Sequence, residues 1–307
     1  MKEDYRIYGD VMVFDMTYRT NKYNLVCAPF IGINNHWNNV MFGCAFLANE
    51  KVESFQWLFE VFKKSMRGKC PITLFTDQDQ AIATAITKVF PQTRHRLCLW
   101  HLQQNVVSRF SQLKSENSFK ATFKKCLSGC ANENEFESCW KSMTTKYNLE
   151  YHSWFCRLYG LREKWCTALR KDFFFAGILS SQRSESINHA IAFNAKKNTS
   201  LTEFYGIFKA TIKHWRSKEQ NNEFQCSKPI PESVLPMTGM LKHASEVYTL
   251  TLFREFESEF LKSISTCSTI VLVEDSVMVY DVSSHYANAC THRVVFDCLR
   301  NMITCSC

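Results

Sequence analysis

Two short stretches, VMVFD at residues 11–15 and ITLFTD at residues 72–77, decide the fold of this chain. In the first stretch, Val11, Val13 and Asp15 alternate with Met12 and Phe14, as in a half-buried β-strand. The second stretch reads as a short apolar strand. The first ends at Asp15 and the second at Asp77. Each acid therefore lies at the boundary between an apolar segment and a polar one, which is the usual position of a metal-binding carboxylate.

The segments around these two strands predict the order of the remaining elements. Apolar runs at 25–33 and 40–47, joined by the turn NNHWNN, complete an antiparallel meander of three strands. After this meander, apolar residues recur at helical spacing in three segments. A further strand precedes the last of these three helices. We predict helices at 53–67, 81–89 and 101–110 and a strand at 94–100. The order βββ and then αβαβα is that of an α/β fold with a ribonuclease-H-like mixed sheet.

The later residues divide the chain into further predicted regions. Residues 1–110 form the first part of the core, and residues 111–178, rich in helix signals and tryptophan, form an all-α insertion. Residues 179–224 complete the core and include a helix at 201–224. Residues 225–268 contain a proline-rich linker and a helix at about 239–263, and residues 269–307 return to short strands as a small C-terminal β segment.

A third acid, Glu185 in SSQRSESIN, completes the order Asp, Asp, Glu that is typical of a transposase or nuclease centre. Phosphodiester chemistry commonly uses two divalent metals about 3.5–4 Å apart. Hard Mg²⁺ or Mn²⁺ binds carboxylate oxygens, so Asp15, Asp77 and Glu185 are the candidate catalytic and metal residues. Each acid taken singly is more often a turn, cap or surface residue. Asp79 competes with Asp77, although its place before a helix suits an N-cap.

The charge favours a polyanion as the partner. The net charge is +8, and lysine and arginine concentrate at 94–125 and 196–218. A solvated helix face explains each stretch equally well, but the presence of two such stretches favours phosphate contact. Candidate DNA contacts are Arg94, Arg96, Lys124, Lys125, Lys196 and Lys197.

Fifteen cysteines include two spacings that suit a metal. Cys98 and His101 form C-x-x-H, which is either half a zinc site or a structural cysteine beside a hydrogen-bonded histidine. Cys305 and Cys307 form C-x-C after a predicted hairpin, and they are either an incomplete zinc site or ordinary thiols. Most other cysteines fall in apolar segments, where reduced cysteine behaves as a small hydrophobe.

The sequence also indicates classes to which the chain does not belong. No apolar run approaches the roughly 20 residues that span a bilayer, so we expect no membrane partner. The N-terminus, MKEDYRIYGD, is polar and mixed in charge, unlike a signal peptide. Nucleotide-binding glycine motifs do not occur.

Four blocks of the sequence resemble the plant far-red-impaired-response family, which itself resembles Mutator-like transposases. They are residues 9–37, 42–62, 73–105 and 181–188, which read GDVMVFDMTYRTNKYNLVCAPFIGINNHW, FGCAFLANEKVESFQWLFEVF, TLFTDQDQAIATAITKVFPQTRHRLCLWHLQQN and SQRSESIN. The resemblance covers nearly the whole chain. It implies a Mutator-type (MULE) transposase domain in which Asp15, Asp77 and Glu185 are the acidic triad and Cys98 and His101 the C-x-x-H pair.

The resemblance also implies partners, a location and cofactors. The end of the chain is similar to the opening of a SWIM zinc finger, of which Cys305 and Cys307 are the only ligands present, and the family's N-terminal zinc-binding domain is absent, so we expect a truncated form. The implied function is a nuclear, DNA-associated transcription regulator that forms homodimers or heterodimers with family members. The alternative is an active transposase that uses Mg²⁺ or Mn²⁺ to cleave DNA and transfer strands.

Overall fold

The computed structural model describes residues 1–16, 21–130, 132–169, 174–176, 178, 198–227, 238–284 and 291–305. The helices of these ranges are α1 (Lys2–Tyr8), α2 (Val52–Ser65), α3 (Gln80–Val89), α4 (Leu99–Arg109), α5 (Asn117–Ser128), α6 (Glu133–Lys146), α7 (Ser153–Gly160), α8 (Leu201–Cys226), α9 (Gly239–Val247) and α10 (Leu250–Ile264). The strands are β1 (Val11–Phe14), β2 (Val26–Ile33), β3 (Asn39–Leu47), β4 (Thr73–Thr76), β5 (Arg94–Leu97), β6 (Thr266–Glu274), β7 (Val277–Ser284), β8 (His292–Asp297) and β9 (Met302–Cys305). The chain is thus an α/β protein.

The first sheet is mixed and has the strand order β3-β2-β1-β4-β5. β1 pairs antiparallel with β2, and β2 pairs antiparallel with β3, which confirms the predicted meander. β4 lies parallel to β1 on its other side, and β5 lies parallel to β4. The carboxyl ends of β1, β4 and β5 therefore meet at one edge of the sheet.

Helices cover both faces of this sheet. On one face, α2 and α3 pack against β1, β2 and β4 through a core rich in phenylalanine, with Phe14, Phe30 and Phe59 at its centre. Phe204 and the apolar side of α8 cover β2 and β3 on the opposite face. β2 therefore lies between two helix layers, and every residue of β1, β2 and β4 is buried.

The helical region from α4 to α7 has a core of its own. Trp140, Trp154 and Trp165 belong to it, together with apolar residues of α4, α5 and α6. Leu97 at the end of β5 is part of the same cluster, so this core begins before the predicted boundary at residue 110. The described residues of this region form helices and no strand.

The C-terminal residues form a second, antiparallel sheet with the order β6-β7-β8-β9. Every residue of β6 is exposed. None of the hydrophobic clusters formed by the described residues includes a residue of this sheet. None of the described helices has both the length and the hydropathy needed to cross a membrane.

Three predicted elements differ from the structure. The strand predicted to reach Trp100 ends at Leu97, because Cys98 caps α4 and the helix already begins at Leu99. The helix predicted at about 239–263 is two helices, separated at Tyr248 and Thr249. The helix α1 was not predicted; its Tyr5 is buried against Phe42 and Phe62.

Candidate functional site

Asp15 and Asp77 lie next to each other at the carboxyl edge of the first sheet. β1 and β4 pair in parallel with Val11 opposite Thr73 and Val13 opposite Phe75, a constant offset of 62 residues. Asp15 and Asp77 have the same offset (77 − 15 = 62), and each directly follows its strand. The register therefore places Asp15 and Asp77 side by side.

The carboxylate of Asp77 is in an environment that disfavours its charge. Burial raises the pKa of this group to about 6, and the charges of Asp79 and Asp15 add to the rise. The nearby His101 acts in the opposite direction. Atom Oδ1 of Asp77 is buried and has no hydrogen-bond partner among the described residues. A buried oxygen of this kind usually has a partner, so this one is available to a ligand.

Asp15 is more deeply buried than Asp77, with 6% of its surface exposed. Its Oδ1 is 3.7 Å from Nε2 of His101, which stands in the first turn of α4. The two carboxylates and this imidazole thus occupy one corner, where the ends of β1 and β4 face the start of α4. Two acidic groups with an unsatisfied oxygen form a donor set that suits a hard divalent cation.

The C-x-x-H spacing of Cys98 and His101 forms a helix cap in the structure. Its side chain caps α4, because Sγ accepts a hydrogen bond from the backbone N–H of His101 at 3.3 Å. The thiol is buried, and its backbone N–H donates to the carbonyl of Thr76 at the end of β4. The pair therefore fixes the start of the helix beside the two acids.

Glu185, the third predicted acid, lies outside the described residues. Among the residues that the structure does describe, no group of three or more histidine, cysteine, aspartate or glutamate side chains is arranged to hold a metal ion. The described part of the site consequently amounts to two carboxylates and one histidine, and its completion by Glu185 stays a prediction.

His95 is a site residue whose role sequence reasoning missed. Its Nε2 lies 2.8 Å from Oγ1 of Thr76, and its Nδ1 lies 3.3 Å from Nζ of Lys164. Burial, with the charge of Lys164, lowers the pKa of His95 to about 3, so the ring is neutral. It therefore holds the end of β4 by hydrogen bonding. His95 lies inside the strand predicted at 94–100, and nothing in the local sequence indicated its contact with Thr76.

Arg96 is not a DNA contact, contrary to the sequence prediction. Its guanidinium is buried and donates to the carbonyl oxygens of Glu163 at 2.5 Å and Cys166 at 3.3 Å. The side chain thus ties β5 to the chain that follows α7. Nothing in the local sequence indicated this, because both acceptors are backbone atoms of distant residues.

The other candidate contacts differ in how accessible they are. Lys124 is exposed on α5, and Arg94 is half-buried at the start of β5. Lys125 is exposed but paired with Glu135 at 2.6 Å. Lys196 and Lys197 lie outside the described residues.

Of the two C-terminal cysteines that the sequence offered as zinc ligands, only Cys305 is among the described residues. Cys305 is exposed at the end of β9 and is part of a disulfide bond. Cys307 lies outside the described residues. The described structure therefore gives no zinc site at this end of the chain, and the zinc prediction rests on the resemblance alone.

Comparison with known proteins defines first the class and then the family. A family profile described as MULE transposase domain matches residues 11–105, the span that contains β1 to β5, Asp15 and Asp77. Protein FAR1-RELATED SEQUENCE 5 of Arabidopsis thaliana is 33% identical over 99% of this chain. Protein FAR-RED IMPAIRED RESPONSE 1 is 33% identical over 85%, and Protein FAR1-RELATED SEQUENCE 9 is 28% identical over 99%, both from the same plant. The chain belongs to this FAR1-related family.

These relatives are longer than the chain. The matched regions span 39%, 31% and 56% of the three relatives in turn. Activities, substrates and partners of the whole proteins are for this reason proposals when they are applied to this chain.

Proposed function

We propose that this chain is the ribonuclease-H-like core of a transposase-derived, DNA-associated protein that acts in the nucleus as a transcription regulator. The observation that carries the proposal is the in-register pair Asp15 and Asp77 at the carboxyl ends of neighbouring parallel strands, inside the span that matches a MULE transposase domain. The strand order, with an antiparallel meander before two parallel strands, supports the ribonuclease-H-like assignment.

The corner formed by the two acids suits a divalent cation such as Mg²⁺ or Mn²⁺. Asp15 and Asp77 would hold it, with Glu185 as the proposed third carboxylate. Such a cation, when bound, neutralises charge on a phosphodiester and activates a hydroxyl for attack. The protein's own contribution is positional: the rigid ends of β1 and β4 fix the carboxylates, and α4 places His101 against Asp15.

The regulatory part of the proposal is supported by the family. One relative is named for an impaired response to far-red light, and we propose a related role in light response for this chain. The net charge of +8 and the exposed Lys124 support association with DNA. The proposed partners are DNA and family members, as a homodimer or heterodimer. Zinc at Cys305 and Cys307 belongs to the proposal only through the resemblance to a SWIM finger, and it requires Cys305 as a thiolate, with its disulfide reduced.

The second candidate function is an active transposase that cleaves DNA and transfers strands. The specific observation in its favour is the buried Oδ1 of Asp77, which has no hydrogen-bond partner among the described residues. Such an arrangement disfavours the anion, so a fold that served only as a scaffold would gain stability by replacing it. Retention of both acids therefore favours a site that still takes a cation.

Binding of the full chain to a fluorescent 30-base-pair duplex tests the proposal. We expect affinity to fall about 10-fold or more between 50 and 200 mM salt, because phosphate contacts release counterions. A flat salt dependence would contradict phosphate contact. A fusion to a fluorescent protein, expressed in plant cells, tests the nuclear location, and a signal excluded from the nucleus would contradict it.

Cleavage of the same duplex with Mg²⁺ or Mn²⁺ separates the two functions. An active transposase should cut, and Asp15→Asn or Asp77→Asn should abolish the cut while the fold stays intact. Asp79→Asn is the matched control, since Asp79 caps α3 and asparagine caps equally well. Cleavage that survives in the two site variants would rule out their role as metal ligands.

A further inference from the structure

A second site lies in the helical region, between the end of α4 and the start of α7. An open cavity of about 570 Å³ is lined there by Arg109, Phe110, His152, Ser153, Trp154 and Arg157. Ligand sites of small molecules have volumes of roughly 300–1,000 Å³, a range that includes a nucleotide. None of the residues named for the acidic corner takes part in this lining.

The lining residues include two arginines and no acid. Arg109 and Arg157 are both exposed, so their guanidinium groups are accessible to a ligand. The cavity also lies at the N-terminal residues of α7, where the helix dipole favours an anion. Arginine is the side chain best suited to a phosphate, because its planar fork can donate two hydrogen bonds at once.

His152 contributes a further donor. Its Nδ1 accepts a hydrogen bond from the backbone N–H of Trp154 at 3.2 Å and thereby caps α7. A neutral imidazole that accepts at Nδ1 carries its proton at Nε2. The outer nitrogen of the ring is consequently a hydrogen-bond donor in either protonation state.

The wall of the cavity is aromatic. The ring of Phe110 lies 4.8 Å from that of His152 and 5.9 Å from that of Trp154, measured between centroids. A positive groove with aromatic side chains is the combination that proteins use for single-stranded nucleic acid, in which bases stack on the rings and the phosphates meet the charges.

Trp154 lies in the wall of the cavity and packs against Phe110. Its side chain is 5% exposed, and its Nε1 is buried with no hydrogen-bond partner among the described residues. Trp165, in the same core, donates from Nε1 to the carbonyl of Leu158 at 2.9 Å. The indole of Trp154 is thus a buried part of the cavity wall, whereas the ring of Phe110 is half-buried and partly accessible.

We propose that this cavity binds one nucleotide of a DNA strand, with the phosphate between Arg109 and Arg157 and an unstacked base against Phe110. The inference rests on the proposed association with DNA and adds the contact surface to it. It assigns to the helical region a binding role separate from the acidic corner.

The test is binding of the full chain to a fluorescent 12-nucleotide single strand, compared for two double variants. Arg109→Gln/Arg157→Gln removes two charges at the cavity, and Arg254→Gln/Arg300→Gln removes two exposed charges from α10 and from the turn between β8 and β9. We expect the first to weaken binding about 10-fold or more and to lower the salt slope by roughly 0.7–1.4, at about 0.7 per phosphate. We expect the control to change affinity less than about 2-fold.

A third variant tests the aromatic wall separately. Phe110→Leu keeps an apolar side chain but removes the ring, and we expect roughly 10-fold weaker binding with an unchanged salt slope, because stacking is not ionic. Circular dichroism of each variant checks that the helices remain.

Each outcome of these measurements decides one of the two proposals. Equal binding by the cavity variant and the control overturns the nucleotide site alone, provided that the wild type binds DNA. A wild type that binds neither single strand nor duplex overturns the proposed function as well. Binding of inorganic phosphate or a phosphoserine peptide without oligonucleotide binding also overturns the inference, since it indicates a different class of ligand.

Discussion

The two β-sheets of this chain contain similar apolar strands but differ in what surrounds them. Every residue of β1 and β2 is buried, whereas every residue of β6 is exposed, although β6 includes the run IVLV at residues 270–273. The first sheet is covered by helices on both faces, and the second has no such cover among the described residues. An apolar run therefore predicts a strand, but whether that strand is buried depends on the elements that pack against it.

This difference explains why the candidate site lies in the first sheet. A carboxylate at the end of a buried strand loses its hydration and is held rigidly, so its charge becomes costly unless a cation compensates. Asp77 is in that situation. Asp281 on β7 is instead solvated and paired with Arg293, and this partner lowers its pKa.

The largest expected effect compares one leucine from each sheet. Leu74 on β4 is fully buried, and Leu272 on β6 is 44% exposed. Leu74→Ala should lower the free energy of unfolding by about 2–5 kcal/mol, because it removes buried methyl groups and leaves a cavity. Leu272→Ala should cost less than about 1 kcal/mol. Urea denaturation measures both, and equal losses would show that β6 is covered in solution.

A smaller effect is expected from one arginine of each sheet. Arg96→Gln should cost about 2–3 kcal/mol, because two buried carbonyl oxygens lose charged donors. Arg293→Gln removes an exposed pair with Asp281 and should leave the denaturation midpoint unchanged within error. A midpoint for Arg96→Gln that equals the wild type would contradict the bracing role assigned to this side chain.

The smallest stability effect concerns Asp77 and depends on pH. Its pKa is about 6 in the folded state and close to 3.9 in an unfolded chain. Between these values the folded state binds more protons, so stability falls as the pH rises from about 4 through 6. Asp77→Asn should therefore stabilise the metal-free fold by about 1–2 kcal/mol at pH 7.5 and have little effect at pH 4.

Denaturation in the presence of a chelator at the two pH values checks this prediction. Asp79→Asn is the comparison: it keeps the cap of α3 but removes one charge that raises the pKa of Asp77, so its gain at pH 7.5 should be smaller than that of Asp77→Asn. A gain for Asp77→Asn that is the same at both pH values would show that the raised pKa of Asp77 is not its origin.

Sequence reasoning succeeded where the determining interactions are local or follow from strand order. The sequence predicted that Asp15 and Asp77 each end a strand, and the parallel pairing of those strands in the structure brings the two residues together. The helix α2 was predicted because Phe55, Phe59 and Phe62 recur at helical spacing, and all three are buried.

The failures involve contacts with distant residues. Arg96 is buried because carbonyl groups 67 and 70 residues further along the chain accept its hydrogen bonds. The break between α9 and α10 falls at Thr249, whose hydroxyl donates to the carbonyl of Asn35 in the turn between β2 and β3. The sequence near Arg96 and Thr249 does not indicate these hydrogen-bond acceptors. In the same way, the sequence near Phe110 does not indicate the cavity.

The most direct test of the central claim is a calorimetric titration of Mn²⁺ into the full chain, with Asp15→Asn/Asp77→Asn beside the wild type and Asp79→Asn as the control. If the two carboxylates form a cation site, the wild type and Asp79→Asn bind Mn²⁺ and the double variant does not. Equal binding by the double variant, or no binding by the wild type with and without duplex DNA, would contradict the claim.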